Sequence, residues 1–102
     1  MDRPRNPVDI RRQLVAEAGE LVTGDRNATH GNYTDEATRI GQAWAAILRL
    51  PEPIPPHVVA ALMVVLKMCR ATAGAANVDD WRDGIGYCAN GAQIDVDTRR
   101  VP

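Results

Sequence analysis

Between positions 51 and 56 the chain reads Pro51-Glu52-Pro53-Ile54-Pro55-Pro56. Proline lacks the amide donor that a helix interior needs, and it pushes the residue before it toward extended backbone. This stretch cannot be regular helix, and it is read as a stiff, extended connector. Neither flank alternates apolar and polar residues as a half-buried strand does. The connector therefore separates two helical halves. The expected fold is all-α, a four-helix bundle made of two helical hairpins. The chain has 102 residues, enough for a single domain. Its ordered core is expected over about 6–94 and a frayed tail over 95–102. A chain this short buries only about two-thirds of the surface that its unfolded form exposes, so a homo-oligomer is expected.

Local signals place the helices. Asn6-Pro7 pairs a capping residue with the proline that suits a first helical turn. The first helix should run to Val22 and stop at Gly24. Ile10, Leu14, Ala18, Leu21 and Val22 form one apolar arc, with Glu17 at its border and Glu20 further out. A polar loop leads to the second helix, expected from about Thr34 to Leu48. Its predicted buried stripe is Ala37, Ile40, Gly41, Trp44, Ile47 and Leu48, and Glu36 projects into that stripe. The third helix is expected from about His57 to Thr72. It is apolar all round as far as Lys67, which predicts a central position in the bundle. Asn77 should cap the fourth helix, which is expected to reach about Ile94. Gly84, Gly86 and Gly91 each weaken that helix by roughly 1 kcal/mol relative to alanine, and they let another helix or a ligand come close.

Composition removes several function classes. With 45% hydrophobic and 25% charged residues, the chain has the balance of a folded protein rather than a disordered one. It contains no serine, which excludes a serine nucleophile, and no phenylalanine, so its core is expected to be aliphatic. A net charge of −1 gives no electrostatic grip on a phosphate backbone, and direct DNA binding is not expected. Cys69 and Cys88 make no metal or redox motif and read as small buried apolar residues in a reducing cytosol. Met1 to Arg5 lacks the apolar core of a signal peptide. The longest apolar run, Val58 to Leu66, is far short of the ~20 residues that span a membrane. A cytoplasmic protein without membrane contact is expected.

Three groups of polar residues are candidates for chemistry. On the fourth helix, Asp80, Asp83, Tyr87 and Asn90 share one side, and Trp81, Ile85, Cys88 and Ala92 share another. Asp80 and Asp83 are neighbours at a spacing of three, as are Glu17 and Glu20 on the first helix. Two such pairs on separate helices can hold a hard cation such as Mg²⁺ through oxygen ligands, or they can simply be acids of solvated faces. Lys67 is the one lysine of the chain, and Arg70 lies a helical turn beyond it. They can contact phosphate as a point charge and a forked donor, or they can neutralise Asp83, Glu36 or helix-end carbonyls. The loop with Gly24-Asp25-Arg26 and His30-Gly31 is the third group. Its glycines permit close backbone approach to a ligand, while Asp25 and Arg26 can equally pair with each other or lock the loop onto the later helices.

Taken in order, Gly24-Asp25-Arg26, His30-Gly31, Arg39-Ile40, Trp44, Lys67 with Arg70, and Asp80-Trp81-Arg82-Asp83 with Gly86-Tyr87 resemble an uncharacterised family of small all-α phage proteins. The likeness covers about Leu14 to Ile94. More distantly the chain is similar to phage domains associated with nucleotide modification and to MazG-type nucleoside triphosphate pyrophosphohydrolases. The MazG likeness rests on Glu17-x-x-Glu20 and Asp80-x-x-Asp83, which stand where that family keeps its Mg²⁺ ligands. The resemblance implies a MazG-like bundle in the host cell cytoplasm that acts on a nucleotide or a nucleotide-derived small molecule. It makes Glu17, Glu20, Asp80 and Asp83 the metal ligands. Glu17, Asp83 and Lys67 become the catalytic set for hydrolysis between the α and β phosphates. Asp25, Arg26, His30, Lys67, Arg70 and Tyr87 become the ligand-binding set. The same resemblance admits a binder without catalysis, one that sequesters a nucleotide-derived immune signal or attaches to a host protein.

Overall fold

The computed structural model describes residues 6–24 and 32–99. They form four helices, α1 (Pro7–Thr23), α2 (Tyr33–Leu48), α3 (Pro56–Ala71) and α4 (Val78–Thr98). No strand occurs among the described residues. Asparagines start three of these helices by satisfying an amide that the first turn leaves without a partner. Asn6 Oδ1 accepts from the Val8 amide at 2.8 Å, Asn32 Oδ1 from Thr34 at 2.7 Å, and Asn77 Oδ1 from Asp79 at 2.9 Å. α3 follows Pro55 and takes Pro56 into its first turn, where a missing amide costs nothing. α2 ends differently, on Arg49 in the left-handed region (φ 56°), whose amide donates to Ala45 and Ala46 carbonyls.

α4 is the hub. It packs on all three other helices, and most extensively on α3. α3 also packs on α2, whereas among the described helices α1 packs on α4 alone. The expected pair of hairpins is therefore corrected: α1 and α2 follow one another in sequence without packing together. The central place predicted for α3 passes to α4 for a reason visible in its glycines. Gly84 and Gly91 lie on the α3 side of α4, where an added methyl would meet Met68 and Ala60. Gly86 lies on the opposite side, against Val22 of α1. Small residues on two faces let two helices approach the same axis closely.

Tyr33, Ala37, Val59, Ala60 and Ile94 form the buried cluster, with Ile40, Trp44, Ile54 and Tyr87 packed against it, so the core is not purely aliphatic as expected: tyrosine and tryptophan supply the rings that phenylalanine does not. Ile94 and Val59 are the largest side chains that are fully enclosed. Of the stripe expected on α2, Ala37 and Gly41 are buried, and Ile40 and Trp44 are half-buried. Ile47 and Leu48 are instead exposed, because α2 outruns the helices that it packs on. The proline connector folds back onto α2: the Ile54 amide donates to the Gly41 carbonyl at 3.2 Å. The fourth helix does not fray at Ile94 but continues to Thr98. Side chains hold this last turn. Asp97 Oδ2 accepts from Thr34 Oγ1 at 2.8 Å, and Arg99 Nε donates to Asp95 Oδ1 at 2.7 Å. No helix of the described residues is long and apolar enough to cross a membrane.

Candidate functional site

Because α1 and α3 flank α4 without meeting, a cleft of about 300 Å³ opens between them. Leu21 and Val22 of α1 form its apolar wall, and Lys67 of α3 faces them. α4 supplies the floor through Arg82, Asp83, Gly86, Tyr87 and Asn90. Gly86 is placed where a side chain would close the gap to Val22, so the glycine keeps α1 and α4 in contact at the edge of the hollow. A second hollow of about 310 Å³, lined by Ile10, Gln13, Leu14 and Val78, carries no charged group.

The side of α4 that the sequence marks as polar is the side that faces Lys67. Asp80 is buried, 4% exposed, whereas Trp81 and Cys88 on the other side are exposed. Cys69 is exposed as well, which corrects the expectation that both cysteines are buried: each lies on a side of its helix that no other described helix covers. Lys67 Nζ donates to Asp83 Oδ2 at 3.0 Å and stands 3.9 Å from Asp80 Oδ1. Arg70 Nε approaches the same Asp80 oxygen at 3.6 Å. A buried carboxylate needs cations close by, and these two supply them. Around the corner of α4, Arg82 Nη1 lies 3.4 Å from Asp79 Oδ1 and 4.0 Å from Glu17 Oε1, while its Nε lies 3.4 Å from Asp83 Oδ1. Gln13 Nε2 donates to the other Glu17 oxygen at 2.8 Å. Tyr87 is half-buried, and its ring is tilted 56° to that of Tyr33 at a centroid distance of 6.2 Å.

The structure thus brings Lys67, Arg70, Asp80 and Asp83 into one ion-pair network and sets Glu17 at its far end through Arg82. Tyr87 lies in the cleft beside them. Glu20 is exposed on α1. Asp25, Arg26 and His30 lie outside the described residues. Among the described residues no three acid, histidine or cysteine side chains converge as a metal site would require. Cationic side chains stand against three of the four acids proposed as metal ligands: Lys67 against Asp80 and Asp83, and Arg82 against Asp83 and Glu17.

Arg82 is a site residue absent from the candidates read from sequence. Its position next to Asp83 and three residues after Asp79 was the available signal, since a long guanidinium stem reaches several carboxylates on one helix surface. Asn90 shares the face of Tyr87 and completes the floor. A family model described as a domain of unknown function (DUF6378) matches residues 13–95, a span that includes every residue named for the cleft. No curated protein matches the chain. No solved structure matches it.

Proposed function

The chain belongs to the DUF6378 family, and on that premise we propose that it binds a nucleotide or nucleotide-derived small molecule in the cleft between α1 and α3 without hydrolysing it. One observation carries this reading. Lys67 and Arg82 line the same 300 Å³ hollow as an aromatic ring, an amide and an apolar wall. Small-ligand sites likewise set a few convergent polar groups against packing surface, and here the polar groups make up about half of the lining. An ammonium has three donors, and the hydrogen bond to Asp83 uses one of them, which leaves donors for a phosphate oxygen. The guanidinium of Arg82 offers a fork to the same anion. Tyr87 and Asn90 would address the base or the sugar.

Titration calorimetry with mixed nucleotides and with nucleotide-derived immune signals, in the presence of a chelator, tests the reading. The resemblance to small phage proteins read from the sequence motifs motivates the second ligand class. Binding with the ligand recovered intact is the expected result. Lys67→Met or Arg82→Met should weaken it about 10- to 100-fold, the worth of one charge-assisted hydrogen bond. Absence of affinity for every nucleotide tested overturns it.

A second reading is Mg²⁺-dependent pyrophosphohydrolysis, and one arrangement favours it. Glu17 and Asp83, from separate helices, reach the same guanidinium, so withdrawal of Arg82 would leave two carboxylates facing one gap. Pyrophosphate release from nucleoside triphosphates with Mg²⁺ would establish this reading, and silence across the common nucleotides would end it. The binder is further proposed to act as a homo-oligomer, because a chain with so small an enclosed core gains most from self-association.

A further inference from the structure

Asp83 stands between the two cations of the cleft. Its Oδ2 accepts from Lys67 Nζ at 3.0 Å, and its Oδ1 lies 3.4 Å from both Nε and Nη2 of Arg82. An anion that takes up the remaining donors of Lys67 or Arg82 therefore settles beside this carboxylate. Two acceptors on one ammonium are ~5 Å apart, well inside the ~8 Å over which physiological salt screens charge. The lining sets Lys67 and Arg82 against Asp83, a surplus of one positive charge. That surplus does not grow along the cleft. Toward the start of α4 the next groups are Asp79 and Asp80, one turn before Asp83, with Glu17 reaching the same guanidinium from α1. Once Arg70 is counted with Asp80, three cations in this network face four carboxylates. Toward the end of α4 the described lining continues with Tyr87 and Asn90, beside Leu21 and Val22, and none of these is charged.

We propose that Asp83 sets the charge this site accepts: it selects a nucleotide with a single phosphate charge, a phosphodiester such as a cyclic mononucleotide, over a nucleoside polyphosphate. The inference rests on the nucleotide-binding reading above and adds the ligand class to it. A phosphodiester brings one negative charge, which matches the surplus that Lys67 and Arg82 keep over Asp83. Each further phosphoryl group brings another, and a terminal one nearly two at pH 7, so a triphosphate carries about four. Those added charges meet carboxylates in one direction along the cleft and neutral side chains in the other. Like charges set side by side are a common means of rejecting the wrong ligand, and Asp83 is the acid placed to act on every anion that reaches Lys67 or Arg82.

Calorimetric titration of the full chain, in chelator and low salt, tests this with the 3′,5′-cyclic monophosphate, the 5′-monophosphate and the 5′-triphosphate of each common ribonucleoside. For whichever base binds, the dissociation constant should rise in that order, by about 10-fold from first to last, the effect of a few like charges in a solvated cleft. Added potassium chloride should shrink the gap. Asp83→Asn should narrow it about threefold, because the nearest repelling charge is gone. A triphosphate bound as tightly as the cyclic form overturns the charge selection and leaves the nucleotide site standing. No affinity for any member of the panel overturns this inference and, joined by silence toward the nucleotide-derived signals, the reading it rests on. A folded Asp83→Asn protein with the wild-type ratio overturns the part given to Asp83. Should that variant lose its helical circular dichroism, the wild-type panel and its salt dependence decide alone.

Discussion

Asp80 is buried with two cations at one of its oxygens, and a third group, Asp83, shares one of those cations. Removing one charge from such a network leaves the others without compensation below the surface. Asp80→Asn should therefore lower the free energy of unfolding by about 3 kcal/mol, measured by urea denaturation. If the loss is below 1 kcal/mol, the network contributes little to the fold. Much of this arrangement was legible in the sequence. Asp80 and Asp83 stand one turn apart on one side of α4, and a lone lysine in an apolar helix needs a partner. Arg82 was legible only as a neighbour of Asp79 and Asp83, because its Cα lies off that face and the length of its side chain is what carries the charge around to Glu17.

At the scale of the element, starts were easier to foresee than ends. An asparagine before a helix acts through its own side chain on an amide two residues away, so Asn6, Asn32 and Asn77 show themselves locally. The end of α4 depends on contacts that are distant in sequence, notably Thr34 on Asp97, and apolar periodicity does not record them. Its last turn also carries a pH signature. The hydrogen bond from Arg99 holds the Asp95 carboxyl below its ordinary value, against a smaller opposing effect of burial, with Arg99 and His57 adding attraction. A depressed carboxyl stabilises the folded form above its ordinary pKa and loses that contribution as the pH falls through the folded-state value. Acidification below the ordinary carboxylate range should fray the turn near Thr98. Backbone chemical shifts there would report it, and Arg99→Gln should bring the fraying to higher pH. A last turn equally ordered throughout the acid titration would contradict the assignment.

For the whole molecule, class and helix number followed from the connector and the caps, while the arrangement did not. Hydrophobicity pointed to α3 as the centre, yet what decides the centre is which helix can be approached from two sides. The glycines of α4 do that, and their effect depends on angles that only packing reveals. The connector is itself part of the packing. A methyl at Gly41 would collide with the Ile54 carbonyl, which is backbone and cannot turn aside. Gly41→Ala should cost about 2 kcal/mol and lower the melting temperature by about 10 °C. An unchanged melting temperature would mean that the connector lifts off α2 at no cost.

Among the described helices α1 packs on a single neighbour, and Ala18 is its one buried residue. A segment anchored so lightly opens by itself, well below the free energy of global unfolding. Its amide protons should exchange with deuterium before those of α3 and α4. Since Leu21 and Val22 wall the cleft, an occupant wedged against them must be released before α1 can detach. Retarded exchange across α1, with α2 unaffected, would then report occupancy for a molecule whose ligand has no chromophore.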